Sequence, residues 1–249
     1  MESAEWRRLR IAHVANTDYF CAFLLRAQLE RLRAAGHAVD IVCGPGPLVE
    51  ELAARGFRVH AIENSRRIDP LADLRTLSRY VTLFRRERYD VVHTHNPKVN
   101  ALACLAARVA RVPRVLSTLH GLYSHEGQRP AVRRVWRTFE RASSRLADLV
   151  LCQSGEDVRT ARWQRIVPDD RLRALGNGVD VRAFSPERFG SDDRSAIRRR
   201  LGVRPGERVI GFVGRLVREK GVLELLRAVQ HKPGWRLLLV GPDERGLKA

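Results

Sequence analysis

Val209-Ile210-Gly211-Phe212-Val213 runs directly into Gly214-Arg215-Leu216-Val217-Arg218-Glu219-Lys220-Gly221, after which Leu223, Leu226 and Val229 recur at helical spacing. A short apolar run closed by glycine reads as a strand, and the periodicity beyond it predicts a helix starting near Glu219. Strand, tight turn and helix in this order make the repeating junction of a parallel α/β sheet. Backbone N–H groups and the positive end of a helix dipole converge there, which suits a phosphate. Arg215 brings a bidentate fork to that point and Lys220 a point charge; the competing reading is a pair of solvated charges. Leu237-Leu238-Leu239-Val240 reads as the next strand and ends at Gly241-Pro242, close to the last residue, Ala249. One strand–helix–strand unit cannot cover both faces of its own sheet. This second domain is therefore expected to be incomplete rather than small.

Upstream, residues 1–176 alternate apolar strand candidates with helical patterns. Strands are expected near 9–15, 38–43, 57–61, 90–94, 114–118, 148–152 and 172–175, and helices near 19–35, 47–55, 71–88, 98–110, 130–147 and 155–165. In the third helix Leu74, Leu77, Val81 and Phe84 are spaced to form one apolar face. Such alternation with short connections predicts a doubly wound parallel sheet. Asn177-Gly178 is a turn signal and Pro186 to Asp193 is loop-like, so residues 177–205 read as a linker and 206–249 as the start of a second domain.

Ligands of doubly wound sheets bind beyond the carboxyl ends of the strands. The polar residues of this chain fall at those ends: Asn16 and Thr17 after the first strand, His93 to Asn96 closing the fourth, His120 and Gly121 after the fifth, Gln153 and Ser154 after the sixth. His93 and His95 are read as pointing to opposite faces of their strand, which would prevent them from sharing a metal; a structural role is favoured for both. Asp18 reads as the N-cap of the first helix.

Composition narrows the classes. With 249 residues, 44% apolar and 30% charged, the chain is globular with one or two domains, and nothing approaches a membrane-spanning apolar run. Leu9 to Ala15 reads as a strand rather than as a signal-peptide core, which makes a cytoplasmic location the expectation. Cys21, Cys43, Cys104 and Cys152 are far apart in apolar segments and are expected to be reduced packing residues. The net charge of +18 favours anionic ligands, but it is spread along the chain, and aromatic residues at 6% are too sparse to suggest a stacking platform for nucleic acid. Arg133, Arg134, Arg137, Arg141 and Arg145, with Val132, Val135, Trp136 and Phe139, make a basic amphipathic helix. It is compatible with lying on an anionic membrane, although a solvated helix face is the favoured reading.

Together, Val91-Val92-His93-Thr94-His95, Thr118-Leu119-His120-Gly121, Asn177-Gly178-Val179-Asp180 and the Gly214-to-Gly221 segment resemble family 4 glycosyltransferases. The likeness is to bacterial members that build capsule, exopolysaccharide or lipid-linked glycans, and it covers essentially the whole chain. It implies a GT-B fold, with residues 1–176 as an acceptor-side Rossmann-like domain and 206–249 as part of the donor, nucleotide-sugar domain. It implies retaining transfer of a sugar from a nucleotide diphosphate sugar to a glycan or lipid-linked acceptor. In that scheme Gly214, Arg215 and Lys220 hold the donor diphosphate, and Arg215, Lys220 and His120 are catalytic, His120 beside the donor sugar. Asn16, Thr17, His95 and Ser154 line the cleft rim. No metal or cofactor is expected, since no D-x-D occurs. The enzyme would work in the cytoplasm, in peripheral contact with the inner face of the membrane.

Two departures qualify the likeness. Asn16-Thr17-Asp18 stands where many members carry a glycine-rich loop, and no glutamate pair spaced eight residues apart follows Val240 to hold the donor sugar and ribose. The 249-residue chain is thus expected to be a poorly active fragment with weak nucleotide-sugar binding. The alternatives are a non-catalytic module binding anions or nucleic acid and, more weakly, a sugar-nucleotide epimerase of the same fold.

Overall fold

The computed structural model describes residues 7–64, 69–122, 124 and 129–242. They fall into two compact units, residues 1–178 and 179–249.

The first unit is built on one parallel sheet of seven strands: β1 (Arg10–Val14), β2 (Ala38–Cys43), β3 (Arg58–Ala61), β4 (Val91–His95), β5 (Arg114–Leu119), β6 (Leu149–Cys152) and β7 (Leu172–Ala174). The strand order is β3-β2-β1-β4-β5-β6-β7. Helices α1 (Arg26–Ala34), α2 (Val49–Ala54), α3 (Pro70–Glu87), α4 (Pro97–Val109), α5 (Pro130–Leu146) and α6 (Gly155–Trp163) alternate with the strands. The expected α/β architecture is present, all seven strands included. One difference lies at the first helix, whose opening turns, Phe20–Leu25, are π-helical.

Burial follows from the covering of both faces. Val14, Val42, Val92 and Val115 pack with Tyr80, Phe84, Val99 and Ala103 in one cluster. Ile41 and Cys43 pack with Leu29, Leu52 and Phe57 in another. All four cysteines are buried and free, as expected. In α3 the apolar face is rotated from the expected one: Leu74 is exposed, whereas Thr76, Tyr80, Leu83, Phe84 and Glu87 are buried. Polar Thr76 and Glu87 belong to the packed stripe because each has a partner there, Thr76 donating to the Glu63 carbonyl at 3.0 Å. Asp69 caps the helix by accepting from Leu71 and Ala72 N–H groups, with Pro70 in the first turn.

Three arginines hold the buried Glu87 carboxylate. Arg58 donates to both of its oxygens at 2.6 and 2.9 Å, Arg10 at 3.1 Å and Arg86 at 2.9 Å. Tyr89 ties the neighbouring Asp40 at 2.7 Å. Burial pushes the Glu87 carboxyl up, but the bonds from Arg58 and Arg86 outweigh it and leave it below its ordinary value.

In the second unit a 3-10 turn, Pro186–Arg188, precedes α7 (Ser191–Arg200), a helix inside the segment that the sequence suggested was linker. Its three leading residues are stabilised by Asp193, whose side chain accepts from the Gly190 N–H at 3.0 Å, a local cap that overrides the loop-like composition. Strands β8 (Arg208–Val213) and β9 (Trp235–Val240) pair in parallel, joined through α8 (Val222–Val229). The helix does not start at Glu219. A 3-10 turn, Arg218–Lys220, comes first, and Gly221 at φ +74° breaks it from α8. Among the described residues no helix is long and apolar enough to cross a membrane.

A carboxyl held below its ordinary value stabilises the fold above its unfolded pKa, and that stability is lost as pH falls through the folded value. Glu87→Gln is therefore expected to cost about 1–3 kcal/mol at pH 7, with the gap to the parent narrowing toward acid pH. Urea denaturation at pH 7 and in the acid limb checks this; an equal loss at both would show that the ion cluster is not the source.

Candidate active site

Strand order reverses between β1 and β4. Helices leaving these two strands go to opposite faces, so a crevice opens at their carboxyl ends, and this is where ligands of such sheets bind. The residues brought there are Asn16 and Thr17 from β1, and His95 and Asn96 from β4. The Asn96 side chain accepts from the Asn16 backbone N–H at 3.2 Å, bridging the two strand ends. Asn96 takes φ +77° to do so, a conformation that costs a residue with a Cβ on the order of 1–3 kcal/mol.

The rest of the loop after β1 is bonded to the protein. Thr17 Oγ1 accepts from the Phe20 N–H at 3.3 Å. Asp18 is not the expected helix cap. Its buried carboxylate accepts from Tyr19 N–H at 2.8 Å and from Leu48 N–H at 2.7 Å, so it ties the loop after β1 to the loop after β2. Gly46 lies so close to this carboxylate that a Cβ there would collide with it. Ser154, on the same carboxyl rim, caps α6: it accepts from Asp157 N–H at 2.9 Å and donates to the Asp157 carboxylate at 2.7 Å.

Beneath the rim lies a cluster of imidazoles. His13 and His93 are register neighbours on β1 and β4. The reading that His93 and His95 face opposite sides is wrong. Residues two apart on a strand share a face, and their ring centroids are 4.3 Å apart. His13, His93 and His95 are nearly fully buried, and one ring nitrogen from each lies within 4.8 Å of the others. The orientation argument against a metal therefore fails, and among the described residues these three could hold one. Sequence inspection passed over His13, although the same parity rule applied with strand pairing finds it.

These nitrogens are bonded to one another in a chain. His13 Nδ1 and His95 Nε2 are 3.1 Å apart, and His95 Nδ1 and His120 Nε2 are 3.0 Å apart. His93 Nε2 pairs with Thr118 Oγ1 at 2.7 Å, and the Phe20 ring packs edge-on against His120 at 4.8 Å. Burial lowers every one of these histidines, His13 to about 4 and His93 and His95 well below their ordinary value. His120 is lowered by burial too, partly offset by the Gln153 side chain. Neutral rings result, each with one N–H and one lone pair.

A chain of three neutral rings has a direction, and one of its ends must carry a hydrogen. The terminal nitrogens, His13 Nε2 and His120 Nδ1, have no hydrogen-bond acceptor within bonding geometry. At His13 the hydrogen would be sealed in the core, where an orphaned donor costs about 1–3 kcal/mol. His120 Nδ1 is covered as well, but the Gln153 side chain beside it raises the imidazole, as an acceptor for a ring N–H does. That contact favours donation from His13 to His95 to His120, which leaves Nδ1–H on His120. Long-range 1H–15N spectra are expected to show the Nδ1–H tautomer at His120, and His13→Phe to release it toward the Nε2–H form common in solution. An Nε2–H tautomer at His120 in the parent protein would reverse the direction of the chain.

In the second unit, Gly214 ends β8 at φ +153° and its N–H donates to the Val240 carbonyl at 2.9 Å. Leu216 N–H donates to the Pro242 carbonyl at 2.9 Å, which holds the turn against the end of β9. Arg215 and Lys220 are exposed on this turn; Lys220 closes the 3-10 turn that precedes α8. The structure thus groups Asn16, Thr17, His120 and Ser154 on one sheet rim, and Gly214, Arg215 and Lys220 on one loop of the other unit; His95, expected on the rim, is buried beneath it with both ring nitrogens bonded to neighbouring imidazoles.

Residues 23–183 match the model of glycosyltransferase family 4, and residues 193–249 that of the group 1 glycosyl transferases. The chain is 30% identical over 196 residues to an Escherichia coli UDP-Gal:alpha-D-GlcNAc-diphosphoundecaprenol alpha-1,3-galactosyltransferase, covering 78% of this chain and 49% of that protein. It is 33% identical to a GDP-mannose-dependent alpha-mannosyltransferase of Mycobacterium tuberculosis (strain CDC 1551 / Oshkosh), covering 86% and 56%. The chain therefore spans about half the length of these relatives. A glycosyltransferase structure from Rickettsia africae superimposes with a TM-score of 0.73 at 16% identity, over 96% of this chain and 70% of that one, which shows the fold. Sequence family and GT-B-type fold agree: the chain belongs to glycosyltransferase family 4.

Proposed function

We propose that this chain supplies the acceptor-side domain, residues 1–176, and part of the donor domain, residues 206–249, of a retaining glycosyltransferase. The reaction moves a sugar from a nucleotide diphosphate sugar to a glycan or lipid-linked acceptor in cell-surface polysaccharide synthesis. The observation that carries this reading is the β8–α8 junction. A glycine in a conformation closed to other residues ends a parallel strand, and two exposed cations, Arg215 and Lys220, follow it before the helix. Such a loop suits a diphosphate.

As the glycosidic bond breaks, negative charge grows on the departing diphosphate. Arg215 and Lys220 stabilise it more in the transition state than in the bound donor, which is what accelerates a reaction. The acceptor hydroxyl attacks from the face the leaving group departs, and a phosphate oxygen takes its proton; this accounts for retention without an enzymatic nucleophile. His120, on the carboxyl rim, is the residue assigned to the donor sugar. Asn16, Thr17 and Ser154 shape the acceptor side of the rim, with His95 packed beneath it. The protein works at the cytoplasmic face of the membrane, where lipid-linked acceptors present their headgroups.

Calorimetric titration of this chain with UDP and GDP is expected to give roughly millimolar affinity, about 4 kcal/mol, lost in Arg215→Ala and Lys220→Ala. In transfer assays of a full-length version carrying the rest of the donor domain, the same substitutions should lower kcat more than they raise KM, by about 3 kcal/mol or roughly a hundredfold. Arg218→Ala should be mild. Damage from Arg218→Ala equal to that from Arg215→Ala would place the wrong cation in the site, and intact kcat in both other variants would remove the loop from the reaction.

A further inference from the structure

The arginine stripe of α5 is not a uniformly solvated helix face. Arg133, Arg137 and Arg141 recur at every fourth position, about 6 Å apart along one side of the helix. With Trp163, Gln164 and Arg165 they line a hollow of about 390 Å³. Arg165 turns the chain out of α6 at φ +50°, and Arg141 Nη2 donates to the Gln164 carbonyl at 2.6 Å, which fixes the far wall of the hollow to α5. Ile166, buried at 2% exposure, anchors the segment behind it.

Four guanidinium groups thus surround one cavity, and among the described residues no carboxylate lines it. Two of their donors are buried without a hydrogen-bond partner, Arg137 Nε and Arg141 Nε. Unsatisfied buried donors on charged groups are costly, and like charges gathered around a void repel one another. An anion with several acceptor oxygens offsets that repulsion. Guanidinium forks match phosphate oxygens in pairs, and Trp163, at 77% exposure, sets a flat apolar face at the mouth.

We propose that this hollow is a binding site for a phosphate or diphosphate ester. Its position separates it from the candidate active site. Helix α6 begins on the carboxyl rim after β6 and runs back toward the amino ends of the strands, so Trp163 to Arg165 lie away from the carboxyl rim that carries His120. The site is independent of the reading of the β8–α8 loop, and its ligand is the phosphate of a membrane lipid headgroup or of a free solute.

The test is Trp163 fluorescence, with Trp163→Phe identifying its share of the signal. Inorganic pyrophosphate is titrated in one arm, and phosphatidylcholine vesicles with and without phosphatidic acid in the other. Saturable quenching by pyrophosphate assigns a soluble ligand; a response only to vesicles containing phosphatidic acid assigns the lipid source. Either response should weaken roughly tenfold in Arg137→Gln, be restored in part by Arg137→Lys, and leave the circular dichroism unchanged. Silence in both arms, a response that Arg137→Gln leaves intact, or equal quenching by sulfate overturns the site.

Discussion

All seven strands of the large sheet run in one direction. Parallel strands cannot be joined by tight hairpins, so every connection is a crossover, and the sheet ends up with all its carboxyl ends on one side. Polar residues that would be lone loop residues in another topology are gathered into one rim. The reversal of strand order between β1 and β4 then selects one point of that rim, and Asn16, Asn96, His95 and His120 converge there. Direction creates the rim and order chooses the place on it.

A core built of neutral imidazoles is a compromise. Apolar residues at positions 13, 93 and 95 would pack without desolvating any ring nitrogen. Histidines are tolerable only because each finds a partner, and a half-satisfied buried network is worse than none. The His13–His95–His120 chain meets that demand between its rings, and its outer end has the Gln153 side chain beside it. A property of the rim is thereby set by a residue in the first strand that has no access to it.

The strands were legible because parallel strands buried on both faces read as continuous apolar runs, and the rim residues because they follow those runs. The sequence was less informative wherever partners lie far apart in the chain. Glu87 and Thr76 look like surface residues of α3 until Arg58 and Glu63 are placed beside them. Asp18 resembles a cap because Leu48, which it actually binds, is distant in sequence. His93 and His95 were misjudged for a simpler reason, parity along a strand. The arginines of α5 were visible as a stripe, but the hollow they face depends on Gln164 and Arg165 at the end of another helix. Local spacing reveals elements; it does not reveal which of them share a buried charge.

Asp18 and Gly46 show what such a distant contact means for the history of a sequence. The carboxylate occupies the space that any Cβ at position 46 would need, and it supplies the acceptor that holds the second loop by Leu48. A side chain at 46 is therefore harmful while Asp18 is present, and loss of Asp18 frees the space but releases the loop. The two positions are epistatic, and they are expected to drift together or not at all, which would make the pair a mark of descent among chains whose overall identity has fallen low.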